Sequence, residues 1–324
     1  MPQIEEIKQQ VIKYLQAFKK FISVKYQATY NYCRIRWPGW RKQANCYGRL
    51  ARLDKPIGIL LLLWPTYWGL WLAAEGIPDL NILLVFTLGV ILMRSAGCVL
   101  NDIADRNLDK QVDRTRSRPI ANGEVAPKEA LLVALIIIFI AFLLVLTMNK
   151  LTVQLAFVAV MLAGIYPFMK RYTYLPQFIL GLAFGWSIPM AFAAQTGNIP
   201  NIAWVLLIAN VLWSVAYDTM YAMVDREDDL KAGIKSTAIL FDDADRIIIA
   251  IIQVMVIITL ILVGRQAELG SIYYIGLLFA YGFFIYQLTL IWQRQAQNCF
   301  KAFLNNNWFG LVVFLGIMSD YLLK

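Results

Sequence analysis

Histidine is absent from the 324 residues, and cysteine occurs only at Cys33, Cys46, Cys98 and Cys299, with no Cys-x-x-Cys pair. These gaps remove Ser-His-Asp triads, Cys-His pairs and histidine-held metal centres, and they leave zinc without its usual ligands. Any catalysis must run on carboxylates, Arg, Lys, Tyr and a metal ion that accepts oxygen ligands. Charge is scarce as well: 16% of the residues are charged, against about 25% in a soluble domain. With 60% hydrophobic residues, this is the composition of a polytopic membrane protein. The N-terminus has no unbroken apolar run, because Glu5, Glu6, Lys8 and Lys13 interrupt it, so no cleaved signal peptide is expected. Early acids and little serine also argue against a transit peptide.

What is present in abundance is apolar runs near the roughly 20 residues that a helix needs to cross a bilayer. They predict spans at 57–74, 80–100, 129–147, 151–168, 176–194, 201–222, 246–263, 271–292 and 307–322. The fold class is therefore all-α, a membrane bundle of about nine transmembrane helices, with turns expected at Met148-Asn149-Lys150, 195–198, Gly264 and Asn306-Asn307. Residues 1–48 form a basic, partly amphipathic extension before a domain at 49–324. Ile4, Ile7, Val11, Leu15 and Ile22 fall at helical spacing among lysines, which suits an interfacial helix on an anionic lipid surface, or equally a solvated tail.

The net charge of +9 does not call for nucleic acid. Basic residues gather in the N-terminal segment and in every second loop: Arg106 to Arg118, then Lys170 and Arg171, then Arg226 to Lys235, then Arg294 and Lys301. The alternate loops carry only Lys150 and Arg265. The bias of Lys and Arg toward the inside face then places the N-terminus and the basic loops in the cytoplasm.

Two acidic stretches end even-numbered spans on that same face: Asn101-Asp102-Ile103-Ala104-Asp105-Arg106-Asn107-Leu108-Asp109 and Asp225-Arg226-Glu227-Asp228-Asp229. At about 100° per residue, Asn101 and Asp105 share a helix face, and so do Asp225 and Asp229. Asp218 and Tyr221 continue the second stripe upstream. Oxygen ligands in this arrangement suit Mg²⁺, which takes one or two carboxylates from protein and completes its shell with water and phosphate oxygens. Two such clusters facing each other would clamp a diphosphate; hydrophilic loops between membrane helices would carry such aspartates too. Arg114, Arg118, Lys170 and Arg171, then Lys231 and Lys235, could share the charge of the diphosphate, and each also serves orientation. Arg94, seven residues before Asn101, needs an anionic partner inside its span, either substrate or a neighbouring aspartate. Hydrolysis needs a wet cavity, whereas an interior dense in Trp, Phe, Tyr and Met favours a long apolar tail and alkyl transfer. A transporter is the rival class, but its ionisable groups belong at the midplane rather than at span ends.

At these residues the sequence resembles the UbiA family of intramembrane aromatic prenyltransferases. The segments that carry the likeness are Asp54-Lys55-Pro56-Ile57-Gly58 with Trp64-Pro65-Thr66, Met93 to Asp102, Arg114-Thr115 and Arg118-Pro119. They continue with Tyr166-Pro167-Phe168-Met169-Lys170-Arg171-Tyr172-Thr173, Gly185 to Met190, Tyr217 to Asp225 and Gly233-Ile234-Lys235-Ser236-Thr237. The likeness runs from about Leu50 to the C-terminus. It implies a nine-helix bundle around a central cavity, with Mg²⁺ held by Asn101, Asp102, Asp105 and Asp109 and by Asp225 and Asp229. It implies transfer of a polyprenyl group from a polyprenyl diphosphate to the ring carbon ortho to the hydroxyl of 4-hydroxybenzoate, in ubiquinone synthesis at a bacterial inner membrane, or to another aromatic acceptor. Metal would polarise the leaving group, with Asp102, Asp105, Asp218, Asp225 and Tyr221 as catalytic candidates and an aspartate or the released pyrophosphate taking the ring proton. Arg94, Arg114, Arg118, Lys170, Arg171 and Lys235 would bind substrate. An Arg would hold the acceptor's carboxylate, Arg171 as first choice and Arg94 as second.

Overall fold

A computed structural model describes residues 38–110 and 115–324, so that most of the N-terminal extension, and Arg114, lie outside the described residues. The chain divides into two units between Gly48 and Arg49, and the second unit holds the membrane bundle. The described residues contain helices and turns and no strand. In chain order the helices are α1 (Pro38–Leu50), α2 (Ile57–Ala74), α3 (Leu80–Asp105), α4 (Pro127–Val145), α5 (Lys150–Tyr172), α6 (Pro176–Gly185) and α7 (Ser187–Thr196). They continue with α8 (Asn201–Ala232), α9 (Thr237–Phe241), α10 (Asp245–Gln266), α11 (Ser271–Ile291) and α12 (Ala296–Leu322). With α6 and α7 taken together, and α9 with α10, nine stretches among the described residues are long and apolar enough to cross a membrane.

The fifth span is broken where the sequence reads as continuous. Pro189 stands in the first turn of α7; its ring has no N–H and collides with the carbonyl four residues back, so the helix restarts after Trp186. The ninth span begins at Ala296 rather than 307, so the expected turn at Asn306-Asn307 is helix interior. Likewise α10 runs through Gly264 to Gln266.

Asn305, Asn306 and Asn307 point about 100° apart on α12, and each reaches a different helix. Asn305 accepts from Gln287 of α11 at 3.0 Å, and Gln287 in turn accepts from Gln253 of α10 at 2.9 Å. Asn306 accepts from Trp213 of α8 at 2.8 Å, and Asn307 from Trp64 of α2 at 2.9 Å. Their polarity suggests a loop, yet it is spent on partners inside the bundle.

The core is aromatic. Trp68, Trp213 and Phe309 pack with ring centroids 5.2 to 6.5 Å apart, and Phe284 stacks on Phe309 at 4.1 Å. Around it, α8 packs against α6, α10 and α12, and α2 against α7 and α12. Two helices outrun the bilayer. With 26 residues in α3 and 32 in α8, they are about 39 and 48 Å long at 1.5 Å per residue, against a hydrocarbon core of about 30 Å. Their C-terminal turns carry Asn101 and Asp105 on α3 and Asp225 and Asp229 on α8, so these side chains stand on rigid helix.

Candidate active site

The last turn of α3 presents Asn101 and Asp105 on one face, as their spacing requires. Asp105 is buried; one of its carboxylate oxygens accepts from Asn101 Nδ2 at 3.0 Å and pairs with Lys170 at the end of α5. Its other oxygen, Oδ1, is buried without a hydrogen-bond partner. Asp109 lies one turn beyond α3 and is bridged by Arg118 at 2.9 Å. Burial pushes the Asp109 carboxyl above the ordinary carboxylate range, although Arg118 pulls it back.

The two acidic stretches meet. Asn101, Asp105 and Asp109 line one pocket of about 170 Å³ together with Asp218, Tyr221, Asp225 and Asp229 of α8. Arg118, Lys170 and Lys235 supply its positive charge, and Tyr166, Pro167, Gln177 and Ser236 complete the wall. Tyr221 is fixed against Phe303 with ring centroids 4.7 Å apart. One side is closed by the loop after α8. Gly233, at φ 68°, turns the chain in the left-handed region that suits glycine. The Lys235 N–H then bonds the Lys170 carbonyl at 3.0 Å, and the Thr237 N–H bonds Gln177 Oε1 at 3.2 Å. Ser236 is thereby held in the wall with its hydroxyl buried and unpartnered.

Several candidates fall elsewhere. Asp102 is buried but turned away from the pocket lining, between Arg52 at 2.9 Å and Arg118 at 3.1 Å. Arg171 is exposed and donates to the Ala104 carbonyl at 2.7 Å, outside the lining. Lys231 is exposed beside Asp228. Arg94 lines a second cavity instead, of about 420 Å³, whose other polar contributor is Ser187. Its guanidinium lies over the Phe184 ring at 5.3 Å, its Nε is buried without a partner, and a Cβ on Gly58 would overlap it. Gly58 therefore leaves the space that Arg94 fills.

The two spaces lie end to end along the same faces. On α3, Arg94 and Gly97 line the apolar cavity and Asn101 and Asp105 the acidic pocket; on α5, Ala159 and Ala163 line the first and Tyr166 and Lys170 the second. These positions recur three or four residues apart, one helical stripe on each helix. The acidic pocket and the apolar cavity thus follow one another along α3 and α5.

The sequence pattern of the UbiA prenyltransferase family matches residues 62–311. The chain belongs to that family. A relative described as "4-hydroxybenzoate octaprenyltransferase" of Photobacterium profundum is 55% identical over 282 residues, which is 87% of this chain and 98% of the relative. The apo structure of a UbiA homolog from Aeropyrum pernix K1 superposes with a TM-score of 0.72 at 22% identity, covering 81% of this chain and 97% of that one. A UbiA homolog from Archaeoglobus fulgidus, bound to GPP and Mg²⁺, has a TM-score of 0.65 at 17% identity over 85% and 99% of the two chains. The UbiA fold expected from the motifs is thus the observed one, and the chain is a multi-pass membrane protein and a prenyltransferase.

The motifs did not single out Tyr166, Gln177 or Ser236. The first and third lie inside segments that resemble the UbiA family; Tyr166 reaches the pocket one turn before Lys170 on α5, and Ser236 through the closing of the loop onto α5 and α6.

Proposed function

We propose that the chain transfers a polyprenyl group from a polyprenyl diphosphate to the ring carbon ortho to the hydroxyl of 4-hydroxybenzoate, at the cytoplasmic face of a bacterial inner membrane. The observation that carries this reading is the succession of an acidic pocket and an apolar cavity along α3 and α5. An acidic pocket edged with Arg118, Lys170 and Lys235 suits a metal-bound diphosphate, and the apolar cavity beyond it suits the tail. The name of the relative at 55% identity supports the choice of acceptor, and the basic loops support the orientation.

The residues fit Mg²⁺. Asp105 Oδ1 is a buried acceptor with no donor of its own, which costs free energy unless something supplies a positive partner. Among the described residues no group of three or more Asp, Glu or Cys side chains converges to hold a metal ion by itself, so water and substrate phosphate would have to complete its shell. Asn101, Asp105 and Asp109 on one wall and Asp225 and Asp229 on the other would hold it. When bound, Mg²⁺ neutralises the charge that develops on the diphosphate as its bond to carbon breaks.

The chain's own side chains do the rest in this reading. Lys170, Arg118 and Lys235 bind the diphosphate oxygens. The allylic C–O bond breaks with its electron pair on the pyrophosphate, a π pair of the acceptor ring forms the new C–C bond, and the ring proton passes to a carboxylate. Asp218 sits deeper on α8 than the metal positions and takes that role, while Tyr166 and Tyr221 flank the cation. Arg94, at the junction of the two spaces, binds the acceptor's carboxylate; Arg171, occupied with a backbone carbonyl, serves to hold α5 against α3. Asp102, between two arginines, positions Arg118 and does not touch substrate.

The test is to incubate membranes holding the chain with labelled 4-hydroxybenzoate and prenyl diphosphates of several lengths, with and without Mg²⁺. Ring-prenylated product that depends on Mg²⁺ is expected; none with any donor sinks the reading.

A further inference from the structure

Between Gly233 and Thr237 the loop after α8 carries three polar side chains, and two of them have partners within the protein. Lys235 Nζ donates to the Tyr172 carbonyl at 3.4 Å and lies over the Tyr174 ring at 5.3 Å. The Thr237 hydroxyl stands 2.7 Å from that of Thr219 on α8. Thr219 gives its single hydrogen to the Val215 carbonyl, so Thr237 is the donor between the two. The third side chain, Ser236, has no partner at all.

Ser236 departs from what its place in the chain predicts. It immediately precedes α9, where a serine oxygen ordinarily accepts an N–H from the first turn of the helix; here it makes no such bond. The residue is 3% exposed and lines the acidic pocket. A buried hydroxyl without an acceptor costs free energy, and one that is free to rotate can serve whichever acceptor arrives. Its neighbours on this wall do not supply one. Lys170 and Lys235 are donors only, and Gln177 Oε1 is engaged by the Thr237 N–H at 3.2 Å.

We infer that Ser236 is a further substrate-binding residue, whose Oγ–H donates to an oxygen of the diphosphate. The inference rests on the reading of the pocket as a prenyl diphosphate site. It adds a neutral donor to the charged ones, and the two act differently. A lysine ammonium swings on a flexible stem. Ser236 Oγ is two bonds from a backbone fixed on either side, by the Lys235 N–H on the Lys170 carbonyl and the Thr237 N–H on Gln177. The lysines supply charge, and Ser236 sets where the diphosphate sits.

The test is calorimetric binding of magnesium pyrophosphate to the full chain in detergent, without acceptor, beside the thermal midpoint of the unliganded protein. Ser236→Ala should weaken pyrophosphate binding at least about tenfold. Its unliganded midpoint should stay at or above the parent's, because the hydroxyl removed had no partner to lose. In turnover the prenyl diphosphate KM should rise in parallel, with the acceptor KM within about twofold of the parent's. Thr237→Val is the control: it loses the bond to Thr219 and should lower the midpoint, with pyrophosphate binding changed less than about threefold. Ser236→Ala that binds pyrophosphate like the parent overturns the inference and leaves the pocket reading standing. So does a fall in its unliganded midpoint, which would make the hydroxyl structural, or an equal loss of binding in Thr237→Val, which would credit the loop's position instead. A parent chain that binds no magnesium pyrophosphate overturns both readings.

Discussion

Polar groups are buried in two regions of this bundle, and the regions handle them differently. Along α10, α11 and α12 the partners are nearly complete. Asp245, fully buried, receives both Nε and Nη2 of Arg294 at 2.9 Å, and holds that guanidinium above its ordinary range chiefly through this bond. Asp320 accepts the Gly270 N–H at 2.8 Å at the start of α11, where a carboxylate complements the helix dipole. The three asparagines of α12 staple three neighbours, and among these groups Gln253 Oε1 alone is left over. Between α3, α5 and α8, by contrast, Asp105 Oδ1, Ser236 Oγ and Arg94 Nε are all buried and unpartnered. Satisfied polar atoms hold helices together; Asp105 Oδ1 and Ser236 Oγ, both on residues that line the acidic pocket, mark where a ligand can complete them.

The largest effect should come from the open side. Asp105→Asn or Asp225→Asn should lower prenyl transfer at least about a thousandfold, with the thermal midpoint within a few degrees of the parent chain. Chelation of Mg²⁺ should do the same to the unmodified chain. Turnover near the parent level in either variant would remove the metal role, and the contrast between the two regions with it.

Arg294→Ala is the counterpart on the closed side. It strips Asp245 of its guanidinium bonds and leaves a buried carboxylate held by the Arg246 N–H at 2.7 Å and the Arg246 side chain at 3.8 Å, which costs about 2 kcal/mol. The Tm in detergent should fall by several degrees while the KM for both substrates stays put. A normal Tm with a collapsed kcat would instead place this ion pair in the catalytic machinery.

Arg94→Ala tests the junction. The loss of a charge-assisted contact to a carboxylate should raise the acceptor KM about thirtyfold and the donor KM far less. Arg94→Lys should recover part of it, because one ammonium cannot reproduce the planar fork. Arg171→Ala should change the acceptor KM by less than about threefold; if it does more damage than Arg94→Ala, the two arginines exchange roles.

The nine spans were legible because membrane burial writes itself as uninterrupted apolar runs, and the pairing of the acidic stretches because i, i+4 spacing fixes a face. Three things were not legible, each for a physical reason. Asn306-Asn307 read as a turn, since composition cannot say whether an amide will find a partner inside a bundle. Arg171 outranked Arg94 as the acceptor's anchor, yet Arg171 is committed to a backbone carbonyl and Arg94 faces the cavity. Asp102 sits in the same motif as Asp105 and only about 60° round the helix from it, yet Arg52 and Arg118 hold its carboxylate out of the pocket lining, which spacing alone does not reveal.

The smallest effect should come from the asparagine staple, and it discriminates best when read as a cycle. Asn306→Leu strands the buried Trp213 Nε1–H, which costs about 1–2 kcal/mol, and Trp213→Phe strands the Asn306 amide oxygen and also loses ring area. If these groups serve only each other, the double variant should cost less than the sum of the singles, since neither polar atom is then left without a partner. A cycle that closes additively would mean that lipid or water already satisfies one of them. The α12 amides would then resemble the open groups of the pocket rather than staples.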